Sequence, residues 1–133
     1  MRRSFLVVVL GSWLALAACG SVSDRENGAA DAASRLLEAV AAGDGDAACA
    51  VLAPDTVADV EESAGQPCAD AILDADLPEP AAVESTDVYG QWARVVLADD
   101  TVFAAMFRGG WRVVAAGCRS RGERPYDCSV QGD

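Results

Sequence analysis

Apolar and polar positions alternate along this chain in four distinct patterns. Ser4 to Ala18 carries no charge, with apolar runs at Phe5 to Leu10 and Trp13 to Ala18, and it follows a basic Met1-Arg2-Arg3. Gly20 to Ala29 (GSVSDRENGA) is small and polar with no period, which predicts a flexible tether over 19–29. From Ala30 the apolar positions recur at helical spacing. Ala33, Leu36, Leu37 and Val40 fall on one face and Asp31, Arg35 and Glu38 lie toward solvent, predicting a helix from Ala30 to Ala42 stopped by Gly43. Asp44 or Asp46 is placed to cap a second helix over 47–52 that Pro54 ends, and Asp55 a third over 56–63. Gly65-Gln66-Pro67 breaks the chain, Pro67 starts a short helix over 68–73, and Leu77-Pro78-Glu79-Pro80 is a rigid connector.

The period then changes to two. Val83 to Tyr89, Gln91 to Ala98, Thr101 to Arg108 and Trp111 to Ala116 are rich in β-branched and aromatic residues, and Asp99-Asp100 and Gly109-Gly110 fill two-residue gaps between strands. These turns put Trp92, Arg94, Val96, Phe103, Ala105, Phe107, Arg112 and Val114 on one face. Ala93, Val95, Leu97, Val102, Ala104, Met106, Trp111 and Val113 take the other. Neither face is simply polar. The expected fold is α+β, with N-terminal helices packed on one side of a curved antiparallel sheet of about four strands and partial cover on the other side. It forms one domain over 30–133.

The uncharged segment after Arg3 is too short for a comfortable membrane span, which takes about 20 apolar residues, but it suits a cleaved export signal over 1–18. Its last residues, Leu16-Ala17-Ala18-Cys19, followed by Gly20-Ser21, resemble the bacterial lipobox. The resemblance implies that Cys19 receives a diacylglycerol and becomes the first residue of a lipoprotein held on the extracytoplasmic face of the cell membrane. The competing reading is a plain secretory signal cut after Ala-x-Ala, with Cys19 an ordinary thiol. Five cysteines favour the lipid, because removing Cys19 leaves an even four for an exported protein.

Those four, Cys49, Cys68, Cys118 and Cys128, admit three pairings. Sequence order and the element map favour Cys49 with Cys68, joining the second and fourth helices, and Cys118 with Cys128, pinning the tail onto the last strand. The spacing holds no Cys-x-x-Cys and the chain holds no histidine, so neither a zinc site nor thioredoxin-like chemistry is expected. No metal or other cofactor is predicted.

Charge adds a constraint on partners. Beyond residue 18 there are eight arginines against 21 acids, a net charge near −13, and no lysine occurs anywhere. Such a domain is a poor match for nucleic acid, and anionic headgroups would repel it, so it is expected to stand off the membrane. The arginines concentrate late, and Arg119, Arg121 and Arg124 in the Cys118–Cys128 loop form a candidate partner-binding patch.

Arg35-Leu36-Leu37-Glu38-Ala39-Val40-Ala41-Ala42-Gly43-Asp44, then Ala48-Cys49 and later Gly109-Gly110-Trp111-Arg112-Val113, resemble the nuclear-transport-factor-2-like superfamily. That likeness covers about residues 30–116 and implies a cone with a cavity between sheet and long helix. Asp46-Ala47-Ala48-Cys49, Leu52-Ala53-Pro54, Pro67-Cys68, Ala115-Ala116-Gly117-Cys118 and Pro125-Tyr126-Asp127-Cys128 look more narrowly like a group of small actinobacterial lipoproteins. Fold alone does not set function. An enzyme of this class needs an acid or base in its cavity, and Asp70, Asp74, Asp87, Tyr89, Arg94, Arg108 and Arg112 are the candidates, none in a recognisable motif. Trp92, Phe107 and Arg112 could form a cation–π stack. The expected role is a membrane-anchored binding or accessory module for an envelope protein or small ligand; the alternative is an isomerase- or hydrolase-like enzyme with a carboxylate in the cone.

Overall fold

The computed structural model describes residues 20–132, so the signal segment and Cys19 lie outside the described residues. The order is four helices and then five strands: α1 (Val22–Ala41), α2 (Gly45–Val51), α3 (Pro54–Ala64), α4 (Cys68–Asp74), β1 (Val83–Tyr89), β2 (Trp92–Leu97), β3 (Asp100–Phe107), β4 (Gly110–Arg121) and β5 (Arg124–Gln131). The strands form one open antiparallel sheet in the order β1-β2-β3-β4-β5. The fold is therefore α+β as expected, but with a fifth strand where a pinned tail was anticipated.

The tether expectation is corrected. Residues 22–29 belong to α1, which starts at a reciprocal capping box: the Asp24 N–H donates to Ser21 Oγ and the Ser21 N–H donates to the Asp24 carboxylate, both at 3.1 Å. Polarity hid the helix because its early contact face is built from small residues. Ala29, Ala32 and Ala33 are fully buried, and Gly28 lies so close to Trp111 that a Cβ there would stand 2.8 Å from the indole Cδ1. Gly43, at φ 71°, follows the end of α1 as anticipated. Asp44 rather than Asp46 caps α2, accepting from the Ala47 N–H at 3.0 Å. Asp55 is not a cap: Pro54 takes the first turn of α3 and Ala53 precedes it with no side-chain cap.

Both hairpin turns fall one residue earlier than expected. Leu97 pairs with Asp100 around Ala98-Asp99, and Phe107 pairs with Gly110 around Arg108-Gly109. Moving a two-residue turn by one position slips the ladder by two residues, which preserves side-chain parity. Hence the expected faces stand. Ala93, Val95, Leu97, Val102, Ala104, Trp111 and Val113 are buried under the helices with Leu36, Leu37, Leu52 and Ile72, and Met106 packs against them. This is the core.

Both expected disulfides are present, Cys49–Cys68 and Cys118–Cys128. The first ties α2 to α4. The second joins directly opposed residues of β4 and β5. Beside it, Asp100 is buried in β3 and not in a turn; its carboxylate accepts the Cys118 N–H at 2.9 Å. Burial pushes the Asp100 carboxyl above its usual range, while the peptide N–H groups of Gly117, Cys118 and Thr101 pull the other way.

Candidate functional site

The sheet face turned away from α1 carries a hollow with a predominantly apolar lining. Along β2 and β3, Trp92, Phe103, Ala105 and Phe107 alternate with the buried core residues and point to this side. In β4 the register breaks: Ala104 opposes Val113 while Phe103 opposes Ala115, so one extra residue is taken up there and both Val114 and Ala115 line the same hollow.

Two walls rise from this floor. β5 supplies Pro125, Tyr126, Cys128 and Gln131, and the Tyr126 ring meets Phe103 edge-on with centroids 5.0 Å apart. The entry of α3 supplies Ala53, Asp55 and Thr56. It is held there because β5 ends opposite Ala115 and leaves the next β4 carbonyls free. Ala53 N–H donates to the Val113 carbonyl at 2.8 Å, and the buried Thr56 hydroxyl and the Gly132 N–H donate to that of Val114 at 3.1 and 3.0 Å. Gly132 has to be small, since a Cβ there would fall 2.5 Å from Thr56 Oγ1. Gln91 and Met106 complete a groove of about 570 Å³.

The residues proposed for chemistry do not meet in it. Asp87 and Arg94 pair across β1 and β2 at 2.7 Å, both half-exposed. That hydrogen bond, with smaller contributions from Tyr89 and Tyr126, holds the Arg94 guanidinium above its ordinary pKa. Tyr89 and Arg108 are exposed, Arg112 donates to the Ala50 carbonyl at 2.7 Å, Asp70 is exposed, and Asp74 accepts from Gln66 Nε2. The cation–π contact found lies elsewhere, with Arg25 over Trp111 at 5.7 Å, while Trp92 and Phe107 line the groove. The buried carboxyl, Asp100, faces the β4 backbone and is not part of the groove lining. Among the described residues, no three His, Cys, Asp or Glu side chains cluster to hold a metal ion.

Arg119, Arg121 and Arg124 are exposed at the β4–β5 hairpin. Arg119 stands opposite Asp127 and Arg121 opposite Arg124, with Glu123 in the turn, so the tip mixes signs more than a purely basic patch would. The β5 wall of the groove was missed as a site from sequence, although Tyr126, Cys128 and Val130 alternate at the strand period. Compared with protein-family models, curated proteins and solved structures, the chain matches none of them.

Proposed function

We propose that the chain is an extracytoplasmic lipoprotein, acylated at Cys19, whose domain is a binding or accessory module with the aromatic groove as its receptor site. The observation that carries this reading is the groove. Its volume of about 570 Å³ falls within the roughly 300–1,000 Å³ of small-ligand sites, and apolar walls with a few polar groups (Asp55, Thr56, Gln91 and Gln131) are the usual chemistry of such sites. An aromatic lining supplies contact area and shape with little rotamer entropy to lose. Catalysis is disfavoured on this reading because no acid–base pair converges on the lining.

The order of elements, helices first and an antiparallel meander after them, supports the resemblance to the nuclear-transport-factor-2-like cone. Exposure of the β4–β5 arginines supports a partner-facing role for that hairpin. It extends from the end of the sheet opposite the α1 N-terminus, since Arg25 near that terminus donates to the Gly90 carbonyl at the β1–β2 turn. An anchor at Cys19 would therefore present the arginines outward.

The test is photo-cross-linking in native membranes from a benzophenone side chain at position 126, in the groove, with position 38 on the outer side of α1 as control. A discrete adduct at 126 that is absent at 38 is expected. No adduct at 126, with the protein acylated and folded, sinks the groove as a receptor site. Repeating the experiment with Cys19→Ala reports whether the partner is met only at the membrane.

A further inference from the structure

Five large apolar side chains are exposed among the described residues, and four of them gather at one end of the fold. Tyr89 and Trp92, 60% and 58% exposed, face each other where the β1–β2 hairpin closes. Phe107, 39% exposed, sits where β3 turns into β4. In an antiparallel meander those two turns lie at the same end of the sheet. The N-terminus of α1 is there too, because Arg25 bonds the Gly90 carbonyl and stacks over Trp111, and Val22, 68% exposed, lies one helical turn further out.

We infer that this end of the domain docks on the lipid bilayer, with Trp92, Tyr89, Phe107 and Val22 entering the boundary between headgroups and acyl chains. The inference rests on the lipoprotein reading of Cys19 and goes beyond it. Chain length decides the geometry. With Ser21 already capping α1, Gly20 and Ser21 are all that separates Cys19 from Val22, and three residues reach roughly 10 Å at ~3.3–3.6 Å each. A domain so tethered cannot stand off the surface, as a ten-residue tether would allow. It must bring its own end against the lipid, and that end is where the indole and phenol are displayed. Such amphipathic rings favour the membrane interface, where the ring is buried and the polar edge stays wet. Repulsion by the acidic domain is weak here, since Arg25 and Arg108 accompany Asp24 and Glu26 at this end.

The experiment uses the full acylated protein reconstituted in phosphatidylcholine vesicles, either plain or brominated on the acyl carbons nearest the glycerol. Once the signal is removed, the tryptophans are Trp92 and Trp111. Trp111 is buried and serves as the reference, and Trp92→Phe isolates it without touching the core. The emission lost in Trp92→Phe is that of Trp92. We expect brominated lipid to reduce it at least twofold and aqueous iodide to lose access to it, with Trp111 unchanged. Equal Trp92 emission in plain and brominated vesicles, with full iodide quenching, overturns docking. Intact mass separates the two levels: an unmodified Cys19 overturns the anchor and docking together, whereas an acylated protein with unquenched Trp92 overturns docking alone.

Discussion

Removing the two disulfides one at a time should cost nearly the same stability while affecting the groove very differently. The paired cysteines are 19 residues apart in Cys49–Cys68 and 10 apart in Cys118–Cys128. Loop-closure entropy in the unfolded chain then gives about 3.2 kcal/mol for the first and about 2.7 kcal/mol for the second at 25 °C. Alanine is the replacement of choice, because Cys68 and Cys118 are buried and a serine hydroxyl there would need a partner. With a urea m-value of roughly 1.5 kcal/mol/M, the denaturation midpoints should fall by about 2.1 M for Cys49→Ala/Cys68→Ala and about 1.8 M for Cys118→Ala/Cys128→Ala.

Amide hydrogen exchange in the surviving native state separates the two. β5 is an edge strand with one ladder, and its Tyr126 closes the groove over Phe103. Without the Cys118–Cys128 link, protection over 126–130 should drop selectively, and exchange near the groove should quicken with it. Without Cys49–Cys68, the losses should fall on α2 and α4 while β5 keeps its protection. The reasoning is refuted if β5 is equally protected in both double variants, because the ladder alone would then hold the groove wall. It is also refuted if Cys118→Ala/Cys128→Ala leaves the midpoint where it was.

Two further perturbations probe the packing around this frame. Asp100→Asn should flatten the pH dependence of stability: the folded carboxyl titrates above its ordinary value of 3.8, so the wild type binds more protons folded than unfolded and loses stability as pH rises from below that value through the raised folded pKa. Urea midpoints across that window check it, and a wild type that gains stability relative to Asp100→Asn over the same rise contradicts the assignment. Gly45→Ala should destabilise by about 2–3 kcal/mol, at the upper end of overpacking costs, because the new Cβ would stand 1.9 Å from the Ala69 carbonyl oxygen in α4. A thermal midpoint within a degree of wild type would show that α2 and α4 separate freely despite their disulfide.

What was legible in the sequence followed from parity and punctuation. Period-two alternation grouped Val95, Val102, Ala104 and Val113 on one face, and the grouping survived a turn displaced by one residue because the slip was even; which face meets the helices was not legible, since both are substantially apolar. The cysteine pairs were legible because each links neighbouring elements. Two of the misreadings, the tether and the pinned tail, concern whole elements, and in each the segment carried a local signal compatible with regular structure. Gly20 to Ala29 looks like a tether because it has few large apolar side chains, yet Ser21-x-x-Asp24 is a cap signal and the sheet asks for small residues where α1 crosses Trp111. Pro125 argues against a strand only in a sheet interior; β5 is the outer strand, where a missing N–H need not cost a ladder bond.

Those two segments also control the functional reading. Had residues 20–29 been a free tether, the acidic domain would drift clear of anionic lipid and the exposed Tyr89 and Trp92 would be incidental. With α1 starting at Val22 and capped at Ser21, no long polar tether precedes the domain among the described residues. Had residues 124–131 been only a pinned tail, the open face of the sheet would be a flat apolar surface. As a strand, they raise a wall that places Tyr126 against Phe103 and turns that surface into a groove whose other end is formed by Trp92 and Phe107. If Cys19 is acylated and this end docks on the bilayer as proposed, groove and docked end would be continuous in one sheet, and a ligand entering the groove past Trp92 would arrive from the lipid side.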